Sequence, residues 1–379
     1  MSRPLKLLVV AGEVSGDMHA AGLVRALRQR EPDLTCFGIG GDQLREAGME
    51  IVRDARDMAG VGFAEILPRL PFFVRTFNSI LELARERKPD AVVLVDYPGF
   101  NLRLAARAHK MGIKVIYYIC PQVWAWHRSR IPKMARIIDR LLVIFPFEKE
   151  VFSGTNLKVD YVGHPLIDET REALARPEPA LPWGGQPRIA VLPGSRQQVI
   201  ERMLPVFMDA AAILLNRHPK AGFMVPAPSR EIATVVEGML SRHKTGGQRW
   251  TVVTGQARQI VRTATAAMVS AGTATLETGL MGCPMVIAYK MAPLSFFFAK
   301  RLVKVDHAGM VNIVAGKTLC PEFIQDAATP DAIANAVDQL LSSGTERARM
   351  ISGLKEVAAK LGDGGSHARA AEMILTELA

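Results

Sequence analysis

A chain of 379 residues is too long for one ordinary core and implies about two domains of roughly 150–200 residues, and its 49% hydrophobic and 22% charged content excludes a disordered polymer. No apolar run approaches the roughly 20 residues needed to span a bilayer, and the run Leu5–Ala11 is too short for the apolar region of a signal segment, so it is expected to be a first strand. The formal net charge of +10 calls for an anionic partner: nucleic acid, anionic lipid or a phosphorylated substrate.

In chain order, the first half alternates strand-like and helix-like segments. Strands are expected at Leu5–Ala11, Leu34–Ile39, Ala91–Asp96, Lys114–Ile119 and Leu141–Phe145. Helices are expected at Asp17–Arg30, Phe72–Arg87 and Asn101–Met111. Short apolar runs separated by helices imply a parallel sheet. The first strand runs into Gly12-Glu13-Val14-Ser15-Gly16-Asp17, a glycine turn opening a helix. Such a turn aims backbone N–H groups and the positive end of a helix dipole at its contents. It lacks dinucleotide-type glycine spacing and a Walker lysine. Glu13, Ser15 and Asp17 exceed what a plain helix start needs, although Asp17 as a cap would be the simpler reading.

Further along, Ile66–Phe77 carries Leu67, Leu70, Phe72, Phe73, Val74 and Phe77 with Arg69 and Arg75, a composition suited to a membrane interface or to acyl chains. Packing against its own domain is the alternative. Asp96 ends the purely apolar run Val92–Val95. A carboxylate at the carboxyl end of a buried parallel strand stands at the usual ligand edge, and partial burial raises its pKa toward that of a general base. Ten Lys/Arg against two acids fall between Asn101 and Lys149. No zinc finger or RNP-type strand accompanies them, so nucleic acid is not expected. Trp124 and Trp126 are read as a wall for a sugar or acyl chain, with core packing as the alternative. His164 precedes a stretch rich in Pro and Gly, residues 171–187, read as a domain linker.

The pattern then restarts, with strands expected at Arg188–Pro193, Gly222–Pro226, Trp250–Thr254, Ala266–Val269 and Pro284–Tyr289. Helices are expected at Val199–Arg217, Arg230–Arg242 and Thr273–Met281. Gly194-Ser195-Arg196 offers N–H groups, a hydroxyl and a guanidinium to a phosphate. Gly272-Thr273-Ala274 begins a helix whose Glu277, one turn on, can accept from ribose hydroxyls. No Asp-x-Asp occurs, so a metal-bridged diphosphate is not expected, and Arg196 and helix dipoles must neutralise the charge. Lys290–Lys304 repeats the mixture of Phe, Leu and cations seen at 66–77. The end, Asp331–Ala379, is expected to be helical with one break at Gly362–Gly365. Cys36, Cys120, Cys283 and Cys320 are far apart and show neither metal-ligand spacing nor a disulfide framework, which fits a reducing cytoplasm.

These strings, in this order, resemble the lipid-A-disaccharide synthase family, glycosyltransferase family 19. The resemblance rests on Gly12–Asp17, Asp96-Tyr97-Pro98 with Phe100-Asn101, Pro121–Trp126, Gly163-His164, Leu192–Arg196, Gly272–Glu277 and Pro321–Gln325, and it covers nearly the whole chain. It departs at Val199, where the family often has an acid, and at Val311, where it tends to have proline before the residue aligned with Asn312.

The resemblance implies a GT-B fold: two Rossmann-like domains, residues 1–170 and 188–345, facing a central cleft, with helices at 346–379 packing back on the first domain. It implies that UDP-2,3-diacylglucosamine glycosylates 2,3-diacylglucosamine 1-phosphate (lipid X) with inversion, without metal or other cofactor. Asp96 and Glu13 are the implied catalytic residues. Gly194, Ser195, Arg196, Gly272, Thr273, Ala274, Glu277 and Asn312 would bind the nucleotide sugar. Ser15, Asp17, Trp124, Trp126, Leu70, Phe72 and Phe73 would meet the acceptor and lipid. Peripheral contact with anionic lipid on the cytoplasmic face of the inner membrane follows, and a homodimer is left open. Two rivals stand: another GT-B enzyme acting on UDP-N-acetylglucosamine, such as a 2-epimerase or a peptidoglycan-precursor transferase, and a non-catalytic basic membrane-binding protein.

Overall fold

The computed structural model describes residues 3–58, 63–243, 249–292, 296 and 305–379, with only the backbone of 14 and 63–68. The chain forms two units, residues 1–165 with 363–379, and residues 166–362.

The first unit holds a seven-stranded parallel sheet: β1 (Lys6–Ala11), β2 (Thr35–Gly40), β3 (Glu50–Asp54), β4 (Ala91–Val95), β5 (Lys114–Tyr118), β6 (Arg140–Val143) and β7 (Lys158–Tyr161). Their spatial order is β3-β2-β1-β4-β5-β6-β7. Central strands of a parallel sheet are covered on both faces, which is why β1 and β4 read as continuous apolar runs. Leu7–Ala11 and Ala91–Val95 are buried without exception. The order reverses between β1 and β4, which pair from Leu7↔Ala91 to Ala11↔Val95. Such a reversal is where open α/β sheets leave a crevice at their carboxyl edge. The helices are α1 (Val14–Arg30), α2 (Asp42–Glu46), α3 (Phe63–Arg87), α4 (Pro98–Lys110), α5 (Val123–Trp126), α6 (Ile131–Ile137) and α7 (Glu148–Val151).

The second unit repeats the plan. Its strands β8 (Arg188–Leu192), β9 (Gly222–Ala227), β10 (Trp250–Thr254), β11 (Ala266–Ser270), β12 (Met285–Tyr289) and β13 (Glu322–Ile324) lie in the order β10-β9-β8-β11-β12-β13, all parallel. The reversal falls between β8 and β11, whose ends meet at Leu192↔Val269. Its helices are α8 (Leu166–Ala175), α9 (Gln197–Arg217), α10 (Arg230–Arg242), α11 (Ala257–Thr263), α12 (Thr273–Leu280), α13 (Met310–Ala315), α14 (Pro330–Ser342) and α15 (Gly344–Lys360). The last helix, α16 (Ser366–Leu378), returns to the first unit.

Two expected boundaries move. The units part at Pro165/Leu166, and residues 166–175 of the expected first domain and linker form α8 of the second unit. The Pro/Gly stretch after it is tied to that unit: Trp183 Nε1 donates to Thr263 Oγ1 at 3.0 Å, Thr251 Oγ1 to the Pro182 carbonyl at 3.1 Å and Arg249 to the Gly184 carbonyl at 3.0 Å. The segment 346–379 is also divided. Helix α15 belongs to the second unit, and only α16 joins the first, where Glu377 pairs with Lys114 and Lys158, each at 3.0 Å.

Candidate active site

Glu13 and Asp96 follow the two strands that flank the first reversal. Glu13 occupies the N-cap of α1 in extended conformation (φ −137°, ψ 158°), and its carboxylate makes no capping bond. Asp96 and Tyr97 are consecutive left-handed residues (φ 45° and 48°), a conformation costing roughly 1–2 kcal/mol each. The turn is held from below. The Asp96 carbonyl accepts from Asn101 Nδ2 at 2.8 Å and from Tyr117 Oη at 2.5 Å. Asn101 Nδ2 also donates to the Val95 carbonyl at 3.2 Å. The Tyr97 ring packs against Gly12, where a Cβ would meet it at 2.5 Å, so only glycine lets the two turns approach this closely. Burial, then the neighbouring charge of Glu13, pushes the Asp96 carboxyl up to about 6. Two acids thus stand near each other at the carboxyl edge of the sheet, one of them poised near neutrality, an arrangement that proton-transfer sites commonly use.

The other sequence candidates of this unit separate. Ser15 is exposed in the first turn of α1. Asp17 is corrected from ligand contact to architecture. It is buried, and its oxygens accept from the backbone of Gly41 (2.6 Å), Gln43 (3.0 Å) and Leu44 (3.3 Å), capping α2. Trp124 is corrected likewise. It is 4% exposed, donates to Glu148 Oε1 at 3.0 Å and meets Phe147 edge-on, so it lines no surface. Trp126 is 48% exposed. His164 is buried against Phe145, and burial, with His19 nearby, drives its pKa down to about 3, which leaves it neutral. On α3, Leu70 and Val74 are exposed one turn apart, whereas Phe72 and Phe73 pack against the core and are only half available to lipid. Most of the second expected lipid segment, Lys290–Lys304, lies outside the described residues.

In the second unit, both glycine turns sit at the second reversal. Gly194 (φ 128°) follows β8, and Gly272 (φ 139°) follows β11, with no atom within 4 Å of where its Cβ would lie. Each turn opens a helix with no side chain capping it: α9 after Arg196 and α12 after Gly272. Ser195, Arg196 and Thr273 are exposed, and Ala274 is half-buried. Two uncapped helix starts after adjacent strands, one of them with Arg196 at its N-cap, are an arrangement that favours an anion. Ser270 Oγ, at the end of β11, is buried there without a hydrogen-bond partner among the described residues.

Glu277 stands on α12 as expected, and it is paired. Arg258 Nε lies 2.6 Å from Glu277 Oε1, and the same guanidinium meets Glu169 of α8. Neither Arg258 nor Glu169 stood out in the sequence, since neither belongs to a motif. Asn312 is corrected. It is fully buried, its Nδ2 donates to the Cys320 carbonyl and to Glu322 Oε1, both at 2.7 Å, and its Oδ1 accepts from Leu319 and Cys320 N–H at 2.9 Å. With those four bonds Asn312 fastens the 319–322 turn to α13 and has no capacity left for a nucleotide. Among the described residues no group of three His, Cys, Asp or Glu side chains is arranged to hold a metal ion.

Comparison with known proteins gives concordant matches. The family model described as Lipid-A-disaccharide synthetase matches residues 7–375. Lipid-A-disaccharide synthases of Anaeromyxobacter dehalogenans (strain 2CP-C) and Geobacter sulfurreducens are 42% and 39% identical, each over 98% of this chain and 97% of the relative. Among solved structures, UDP-GlcNAc 2-epimerase from Neisseria meningitidis bound to UDP-GlcNAc superposes with a TM-score of 0.67 at 14% identity, over 98% of this chain and 100% of that one. The glycotransferase of kitacinnamycin superposes with a TM-score of 0.66 at 17% identity, over 100% of both chains. At these identities the structural likeness speaks for the fold alone.

Proposed function

Because the chain belongs to the lipid-A-disaccharide synthase family, we propose that its two units divide that family's reaction, with Asp96 as general base in the first and UDP bound at the paired glycine turns of the second. The protein is a glycosyltransferase of lipid A disaccharide synthesis, taking UDP-2,3-diacylglucosamine as donor and 2,3-diacylglucosamine 1-phosphate as acceptor. The acceptor's 6-hydroxyl oxygen attacks the anomeric carbon while the bond to the UDP phosphate oxygen breaks. The hydroxyl proton passes to Asp96, and the electron pair of the broken bond leaves with UDP. One in-line displacement inverts the anomeric centre.

One observation carries this reading: a carboxyl raised to about 6 on a strained, well-braced turn at the first reversal. At pH 7 it is largely ionised and still basic enough to take a proton as the hydroxyl acidifies in the transition state. Burial, and after it the charge of Glu13, keeps it in that range. The N–H groups at the starts of α9 and α12, with Arg196, stabilise the departing diphosphate, so the reaction proceeds without a divalent metal. Glu277 accepts from the ribose. The acyl chains meet the protein near Leu70 and Val74, which also give α3 an apolar foothold on an anionic membrane surface at the cytoplasmic face. Trp126, half exposed, remains available to the acceptor.

A transfer assay with excess chelator tests the reading. Disaccharide should form from the acylated pair at an undiminished rate, and non-acylated UDP-N-acetylglucosamine should be a poor donor. Equal use of the non-acylated sugar would favour the related UDP-N-acetylglucosamine enzymes. Loss of turnover that magnesium restores would contradict the metal-free displacement.

A further inference from the structure

Arg258 lies between two carboxylates of the second unit. Its guanidinium touches Glu169 on α8 and comes within 2.6 Å of Glu277 on α12. All three side chains are only 18–27% exposed, so their charges are weakly screened by solvent. Helix α11, which carries Arg258, is anchored to α8 a second time. Arg262, one turn on, donates to the Ala173 carbonyl at 2.9 Å and the Arg176 carbonyl at 2.8 Å. The guanidinium therefore approaches Glu277 from a fixed direction. Glu277 in turn stands four residues into α12, about 6 Å along the axis from the uncapped start at Thr273.

We propose that Arg258, braced by Glu169, is a positioning residue for the nucleotide: it fixes the Glu277 carboxylate so that this group can accept hydrogen bonds from ribose hydroxyls. The inference rests on the reading that UDP binds at the α9 and α12 starts. Arg258 also offsets the negative charge that Glu277 brings close to an anionic diphosphate. Without it, two half-buried carboxylates would face each other uncompensated, and one would turn away or take up a proton. Burial raises the Glu169 carboxyl, and the Arg258 guanidinium opposes that rise.

The test compares UDP with 2′-deoxy-UDP by calorimetry on the full-length protein. The wild type should prefer UDP roughly tenfold or more, the size of a hydrogen bond to a charged group. Arg258→Gln should weaken UDP while changing 2′-deoxy-UDP little, so that the ratio falls toward one. Arg258→Lys keeps the charge without the two-sided fork and should give an intermediate ratio. A merely structural role would weaken both nucleotides equally. A wild-type ratio retained in either folded variant would overturn the proposal. Absence of any preference in the wild type would instead remove the ribose role of Glu277, and the proposal with it.

Discussion

Asp96 sits in a setting that disfavours its own charge, and the consequences run through both activity and pH. Its carboxyl rises from its ordinary value of 3.8 to about 6, first from burial and then from the charge of Glu13. As general base it works only when ionised, so kcat/KM should fall below about pH 6 with unit slope. Glu13→Gln removes the repelling charge, stabilises ionised Asp96 and should move that acid limb to lower pH. A limb left in place by this substitution would show that the two acids are not coupled. Asp96 was legible in the sequence because it ends an apolar run, and the run dictates which edge of the sheet it reaches. Asp17, Trp124 and Asn312 were misread for a common reason. Each has chemistry a ligand could use, yet that chemistry is saturated by groups that the fold brings up: the backbone at 41–44, Glu148, and the 319–322 turn. The pairing of Glu277 with Arg258 was invisible for the same cause, since nothing local to either residue announces the other.

At the scale of elements, the buried strands were readable and most of the edges were not. β3, β7 and β13 each close one side of a sheet, and none was expected. Their residues are only partly buried, so they lack the continuous apolar signature of β1, β4, β8 and β11. The expected linker failed differently. Its prolines mark a strap bonded to the second unit, whereas the first crossing between units occurs at the short Gly163-His164-Pro165 string. Helix α3 offers the sharpest test at this scale. Leu70 and Val74 are each 50% exposed, but Phe72 and Phe73 pack against the core. Serine at Leu70 and Val74 should release the protein from anionic vesicles with its melting temperature nearly unchanged, since exposed sites contribute little to stability. Serine at Phe72 and Phe73 should lower the melting temperature. Vesicle binding that survives the Leu70/Val74 pair would exclude this face of α3 as the foothold.

Across the whole molecule, one plan is used twice. Each unit builds a parallel sheet whose strand order reverses beside its first strand, β1 in one and β8 in the other, and each places its polar turns at that reversal. The alternation of short apolar runs with helices was enough to foresee two such sheets, because parallel strands need helical crossovers and bury both faces. The proposed division of chemistry rests on what stands at each reversal. The first presents two acids, Glu13 and Asp96, fit to accept a proton from a hydroxyl. The second presents uncapped helix starts and Arg196, fit to hold a leaving diphosphate.

That division is tested most directly by turnover of Asp96→Asn, measured beside its UDP affinity and its thermal melt. Asparagine keeps the shape and can still accept from the Tyr97 N–H, but it cannot take a proton. The substitution should not unfold the protein. A raised folded-state pKa makes the ionised carboxylate a liability of roughly 3 kcal/mol above pH 6, and that liability fades as pH falls toward 4. The variant should therefore melt at or above the wild-type temperature at pH 7.5 and lose that advantage near pH 4. Turnover should drop about 100-fold or more, the scale of general-base catalysis, while UDP binds as tightly as before. Near-normal turnover in the folded variant would contradict the account, because the base would then have to be another residue.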